Sequence, residues 1–246
     1  MLAELLGTGL LVAVVVGSGI AAEQLSPGDV GLQLLQNSIA TTLGLAVLIL
    51  MFGPVSGAHL NPVVSLADWF LGRRAGTGLT PGELGAYIVA QTVGGIAGAV
   101  LANAMFEVET SLSTTGRITS GHFLGEVVAT TFLVALIFSL ARSHRGALAA
   151  PAVGAYIGAA YWFTSSTSFA NPAVTVGRVF SDTFAGIAPG SAPGFVAAQL
   201  VGLVVGVAVT LALYPDIKKH ADEVVVPHTT EPSEQHADAA TGTTQQ

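Results

Sequence analysis

The amino-acid sequence predicts an all-α membrane protein, an inverted repeat of 3+3 transmembrane helices with two re-entrant half-helices. Three observations carry that expectation. Charge is scarce: 51% of the 246 residues are hydrophobic and 9% are charged, where a soluble domain carries about 25% charged residues. Eight of the charges lie after Tyr214, which leaves 15 for the first 214 residues. That is too few to cover a water-soluble globule, so lipid must be the solvent for most of the chain. Apolar stretches recur, and six spans of about 20 residues with their loops need about 200 residues. Finally, a motif centred on Asn-Pro occurs twice, 110 residues apart.

The spans are expected at 2–21, 34–52, 84–105, 123–141, 147–163 and 194–213. The first has no basic residues ahead of it and Glu4 precedes its apolar run, so it reads as a retained span and not a cleaved leader. The third holds Gly94 and Gly98, and the sixth Gly202 and Gly206. Small residues at that spacing let helix backbones approach closely in lipid, and packing is the reading they are given. Between the second and third spans, and between the fifth and sixth, lie the short segments 61–71 and 171–180. At 1.5 Å per residue, about ten residues reach about halfway across a bilayer. Asn is a strong N-cap and Pro suits the first helical position, so Asn61-Pro62 and Asn171-Pro172 each open a half-helix. The tail, 215–246, is acidic and Thr-rich and is expected to be a disordered cytoplasmic segment.

Basic residues orient the spans. With the N-terminus inside, Arg73, Arg74, Arg142, Arg145, Lys218 and Lys219 face the cytoplasm, and only Arg117 and Arg178 lie outside, as the positive-inside rule requires. Other classes drop out. A net charge of -7 with no basic run argues against nucleic-acid binding. The absence of Cys removes disulfides and thiolate metal sites. No phosphate-binding GxxxxGK[ST] loop, catalytic triad or metal-ligand spacing occurs, so no enzyme, cofactor or metal is expected.

The repeat is detailed. Ser56, Asn61, Pro62, Val64 and Phe70 match Ser166, Asn171, Pro172, Val174 and Phe180. Gln91 answers Gln199, and Glu4, Thr8, Leu11 and Val12 answer Glu126, Thr130, Leu133 and Val134. Three spans per half force the halves into opposite orientations, which places a site between them near the midplane. A single Asn-Pro marks only a helix start. Two in symmetric positions point to half-helices whose N-termini meet inside the membrane, where non-helical backbone is tolerated only in protein or beside water. Such ends repel cations, and each Asn amide offers donors to a passing solute oxygen.

The segments Ser56-Gly-Ala-His-Leu-Asn-Pro-Val and Ser168-Phe-Ala-Asn-Pro-Ala resemble the two NPA regions of the aquaporins, the major intrinsic protein family, and the resemblance covers about residues 1–214. It implies an aquaporin-like channel domain over 1–214, with repeats at about 1–110 and 118–214. It further implies a right-handed bundle, one pore per subunit and a homotetramer. Carried over, Asn61, Pro62, Val63, Asn171, Pro172 and Ala173 form the pore motifs. His59 and the carbonyls of Gly57 and Ala58 line the cytoplasmic side, with a packing histidine as the other reading of His59. Glu4 and Glu126 brace the re-entrant loops, an intramembrane carboxylate needing a partner, although Glu4 also fits an interfacial position.

The chain departs from the family pattern in two places. Val63 replaces an Ala, and Val174 stands where most members carry the filter arginine. The other filter positions count to Thr41, Ala159 and Ser168, which makes the filter wide and uncharged. Thr175 replaces the Asp usual in glycerol-selective members. The pattern resembles a bacterial branch with an apolar residue at the arginine position, some of whose members are associated with arsenic resistance genes. Arg178, four residues beyond Val174, is either a displaced guanidinium at the outer mouth or a side chain that snorkels or pairs with Asp182. The expectation is therefore a passive channel for water and small uncharged solutes, from glycerol-like polyols to arsenous acid or organoarsenicals, in a bacterial cytoplasmic membrane with both termini cytoplasmic. A water-selective aquaporin, an ion-coupled secondary transporter and an occluded structural protein are the rivals.

Overall fold

Helices in this chain start where a short polar side chain can satisfy the unpaired N–H groups of a first turn. Asp29 accepts from Leu32 N at 2.9 Å, Thr80 and Glu83 form a reciprocal capping box with Pro81 behind it, and Thr119 accepts from His122 N at 3.1 Å. The computed structural model describes residues 1–73 and 76–214. The expected tail, with Lys218 and Lys219, and Arg74 lie outside the described residues.

The helices are α1 (Leu2–Leu25), α2 (Val30–Ser56), α3 (Pro62–Gly72), α4 (Pro81–Met105), α5 (Ser120–Arg142), α6 (Ala149–Phe163), α7 (Pro172–Gly177) and α8 (Ala192–Leu213). Short 3₁₀ turns, Gly146–Leu148 and Arg178–Phe180, precede α6 and follow α7. Among the described residues, six helical segments are long and apolar enough to cross a membrane: α1, α2, α4, α5, Gly146–Phe163 and α8. Each expected span is found, but α1, α2 and α4 outrun their apolar cores. Capped polar turns such as those after Asp29 and Thr80 are helical without being hydrophobic, so an apolar run understates the helix.

The two halves share their main crossings, although α1 packs more extensively on α2 than α5 does on α6. Helix α1 lies along α4 as α5 lies along α8, and the half-helices cross over, α7 against α4 and α3 against α8. Helices α2 and α6 meet across the division between halves. Glycines set the closest approaches. A Cβ on Gly98 would overlap the Gly9 carbonyl and one on Gly94 the Leu5 carbonyl; on Gly202 and Gly206 it would lie 2.7 Å from the carbonyl oxygens of Val127 and Thr131. These four glycines are packing residues, as expected, and Thr131 Oγ1 uses the closeness to donate to Gly202 O at 3.2 Å. The outer faces carry exposed Leu43, Val47, Leu50, Phe132, Trp162 and Val204, while Glu4, Gln91, Glu126 and Gln199 are fully buried. That reversal of the water-soluble pattern suits a bundle immersed in lipid.

Overpacking a close crossing costs about 1–3 kcal/mol or more. Gly98→Leu should therefore lower the thermal midpoint in detergent and broaden size-exclusion profiles. Gly82→Ala, on the same helix with open space around its Cβ, should leave both unchanged.

Candidate functional site

Each half-helix is preceded by a loop that brings backbone to mid-bundle. In the first loop Gly57, Ala58 and Leu60 adopt φ of 79°, 46° and 48°, and in the second Thr167, Ser168 and Ala170 adopt 60°, 49° and 46°. Left-handed backbone at a non-glycine residue costs of order 1–3 kcal/mol and persists only where surroundings hold it. The holding groups are the two buried carboxylates. Glu4 accepts Ser56 Oγ at 2.6 Å, His59 N at 3.1 Å, Leu60 N at 2.7 Å and Gln91 Nε2 at 2.8 Å. Glu126 accepts the matching set, Ser166 Oγ at 2.7 Å, Phe169 N at 2.8 Å, Ala170 N at 2.8 Å and Gln199 Nε2 at 2.6 Å. Glu4 is thus a buried brace and not an interfacial residue.

The glutamines extend each brace. Gln91 Nε2 also donates to Ser65 Oγ at 3.0 Å and Gln199 Nε2 to Thr175 Oγ1 at 2.9 Å, tying the carboxylate to the half-helix that its loop feeds. Neither hydroxyl was singled out by the sequence. The signal existed, because Ser65 and Thr175 fall in register in the repeat and the two glutamines were already paired.

Asn61 and Asn171 stand back to back. Asn61 Oδ1 accepts Val63 N at 3.0 Å, and its Nδ2 donates to Ala170 O at 2.8 Å in the other half. Asn171 Oδ1 accepts Ala173 N and Val174 N at 3.0 and 3.2 Å, and its Nδ2 donates to Leu60 O at 2.7 Å. An amide nitrogen carries two hydrogens, so one fastens the halves together and one is left uncommitted among the described residues. Pro62 and Pro172 sit in the first helical turn, and Val63 and Ala173 are buried.

Both asparagines line a cavity of about 60 Å³ that runs between the halves, room for a short file of waters. Ala58, His59, Thr41, Ser168, Val174 and Arg178 also line it. His59 lines the cavity while its Nδ1 meets Ser65 Oγ at 3.1 Å and its ring lies 5.3 Å from the Tyr87 ring. Gly57 is the left-handed C-cap of α2, behind the wall.

Ala159 does not line the cavity. It lies on the exposed face of α6, while Ile157 and Tyr161 line the wall. Residues four apart share a helix face and residues two apart do not, so a fixed count back from Asn171 landed on the wrong side. The Tyr161 hydroxyl instead meets Thr41 Oγ1 at 3.1 Å, which makes this level narrower and richer in hydroxyls than a methyl would. Ser168 Oγ is buried without a hydrogen-bond partner among the described residues.

Arg178 neither snorkels nor pairs with Asp182. It is 3% exposed, its Nε donates to Ala185 O, and its guanidinium lies 3.5 Å from the centroid of the Phe169 ring. Asp182 is engaged elsewhere, accepting Thr114 N at 2.8 Å and Thr114 Oγ1 at 3.1 Å; those bonds hold its carboxyl below the ordinary carboxylate range. The segment before α5 straps this end of the site. Ser113 N donates to Val179 O at 2.8 Å, and Arg117 donates to Gly186 O and Phe184 O at 2.6 and 2.7 Å. Among the described residues no group of three or more His, Asp or Glu is placed to hold a metal ion.

The model of the major intrinsic protein family matches residues 1–168. The chain is 50% identical over 208 residues to the aquaglyceroporin AqpS of Rhizobium meliloti, covering 84% of this chain and 86% of that protein. It is 30% identical over 218 residues to a glycerol uptake facilitator protein of Pseudomonas aeruginosa, covering 76% and 75%. Among solved structures, the aquaglyceroporin from Plasmodium falciparum superposes with a TM-score of 0.57 at 21% identity, over 87% of this chain and 93% of that one.

Replacing Glu126 by Gln puts an N–H₂ where backbone donors converge. Glu126→Gln should cost about 2–4 kcal/mol, read as a lower thermal midpoint in detergent, whereas Glu109→Gln on an exposed loop should stay within about 0.5 kcal/mol of the parent.

Proposed function

The chain belongs to the major intrinsic protein family, whose members are passive membrane channels and not enzymes, and on that premise we propose that it conducts water and small uncharged solutes of about glycerol size. The observation that carries this reading is the pair Asn61 and Asn171, each capping its half-helix and crossing to the opposite loop in the wall of one cavity. A wall mostly of Leu, Ile and Val with a few fixed donors and acceptors suits neutral hydroxylated molecules. It gives a hydrated ion little to replace its water shell.

The selective level is the ring of Thr41, Tyr161, Ser168 and Val174, with Tyr161 taking the place the sequence assigned to Ala159. Valine at 174 leaves the family's usual arginine position apolar. Solutes with several hydroxyls then find partners in Thr41, Tyr161 and Ser168, and arsenous acid and methylarsenicals are small enough to join glycerol in that class. The likeness to an aquaglyceroporin and to a glycerol uptake facilitator supports the solute range. Each buried glutamate is already occupied by four donors, which leaves neither carboxylate free to bind a coupling ion.

The assembly we propose is a homotetramer in a bacterial cytoplasmic membrane, both termini inside. The channel domain we propose spans about residues 1–214.

Purified protein in liposomes should take up glycerol faster than protein-free vesicles, with a low activation energy and no dependence on a sodium or proton gradient. Rates equal to those of empty liposomes across water, glycerol, urea, arsenous acid and methylarsenicals would end the channel reading. Val174→Arg should slow glycerol several-fold more than water; equal slowing would remove Val174 from the selective level.

A further inference from the structure

Arg178 is the one cation in the cavity wall among the described residues. It reaches there because α7 stops at Gly177 and the chain tightens into a 3₁₀ turn from Arg178 to Phe180. That places the side chain one turn beyond Val174 on the face toward the solute path. Its single hydrogen bond among the described residues runs from Nε to the Ala185 carbonyl, which leaves the outer fork of the guanidinium uncommitted. A second cation stands behind it. Arg117 packs 5.6 Å from the centroid of the same Phe169 ring and is held by the carbonyls on either side of Ala185, those of Phe184 and Gly186.

Three successive carbonyls thus hold two guanidinium groups around one aromatic ring, and no carboxylate pairs with either among the described residues. The neighbouring acid, Asp182, is turned to Thr114. A buried cation without a counter-charge is costly, and anchoring a loop to one carbonyl does not require it. Placed beside a narrow, apolar passage, the same charge acts at low effective dielectric and opposes any cation entering.

We propose that Arg178 is the charge-selecting residue of this pore: from one turn beyond Val174, and backed by Arg117 across Phe169, it bars cations and hydronium and offers its free N–H groups to oxygen-bearing neutral solutes. The inference rests on the channel reading. It replaces the expectation, drawn from Val174, that the filter is uncharged.

The test uses proteoliposomes of the full chain with an internal pH dye, a potassium gradient and valinomycin, alongside stopped-flow water and glycerol uptake. Wild-type protein should leak protons no faster than protein-free vesicles. Arg178→Gln, shorter and neutral but still polar, should raise the leak by about tenfold or more while water flux persists, and Arg178→Lys should stay near wild type. Val174→Arg added to the Arg178→Gln variant should lower the leak again. A structural anchor alone would show none of this charge dependence. Wild-type water flux in Arg178→Gln with an unchanged leak overturns the inference and leaves the channel reading standing. Absence of wild-type water and glycerol flux defeats the channel reading instead. Should Arg178→Gln fail to assemble, Arg178→Met, which removes the charge but leaves an unbranched, polarizable side chain to pack against the Phe169 ring, carries the same comparison, and an unchanged leak there overturns the inference equally.

Discussion

Two carboxylates facing four donors each are the constraint on which the rest of this structure depends. A loop that stops halfway through a membrane leaves N–H groups with neither water nor a helix to satisfy them. Glu4 and Glu126 supply the missing acceptors at mid-bundle, and in doing so fix the left-handed turns at Ala58, Leu60, Ser168 and Ala170. Those turns direct the Leu60 and Ala170 carbonyls to the opposite half, where Asn171 and Asn61 take them. The cavity wall is therefore set by groups behind it. Its polar atoms are available to solute because the loop N–H groups have been dealt with by the glutamates.

The close glycine crossings serve the same end. Glu4 lies on α1 and its partner Gln91 on α4, so the brace closes only if those helices nearly touch; Glu126 on α5 and Gln199 on α8 pose the same requirement. A Cβ at Gly94, Gly98, Gly202 or Gly206 would wedge the pair apart and lengthen hydrogen bonds that now lie between 2.6 and 2.8 Å.

Much of this was legible in the residues because it rests on repeated, chemically odd features. Asn-Pro twice, a glutamate early in two apolar spans, and glycines at helical spacing are each improbable in lipid unless they have a function, and each is where expected. What escaped notice depends on geometry between elements. The face that α6 presents is set by its packing against α2, which leaves Ala159 exposed while Tyr161 lines the cavity. Ser65 and Thr175 look like ordinary helix hydroxyls until Gln91 and Gln199 are seen to reach them. The direction taken by Arg178 turns on a helix ending at Gly177, and a spacing of four residues cannot decide between the pore, the headgroups and Asp182.

The two halves are most instructive where they stop being equivalent. Asp68 occupies in α3 the register that Arg178 occupies after α7. Each is 3% exposed, and each secures the chain that follows its half-helix, but with opposite polarity. Asp68 Oδ2 accepts from Leu79 N at 2.8 Å, whereas Arg178 donates to Ala185 O. A carboxylate can only accept. A guanidinium has five donors and spends one here. Structurally the two anchors are interchangeable solutions to the same problem. Only the arginine has donors and a positive charge left over, and it lies in the cavity wall where Asp68 does not. An inverted repeat builds two symmetric ends, and this inequivalence leaves a positive charge in the cavity wall at one of them.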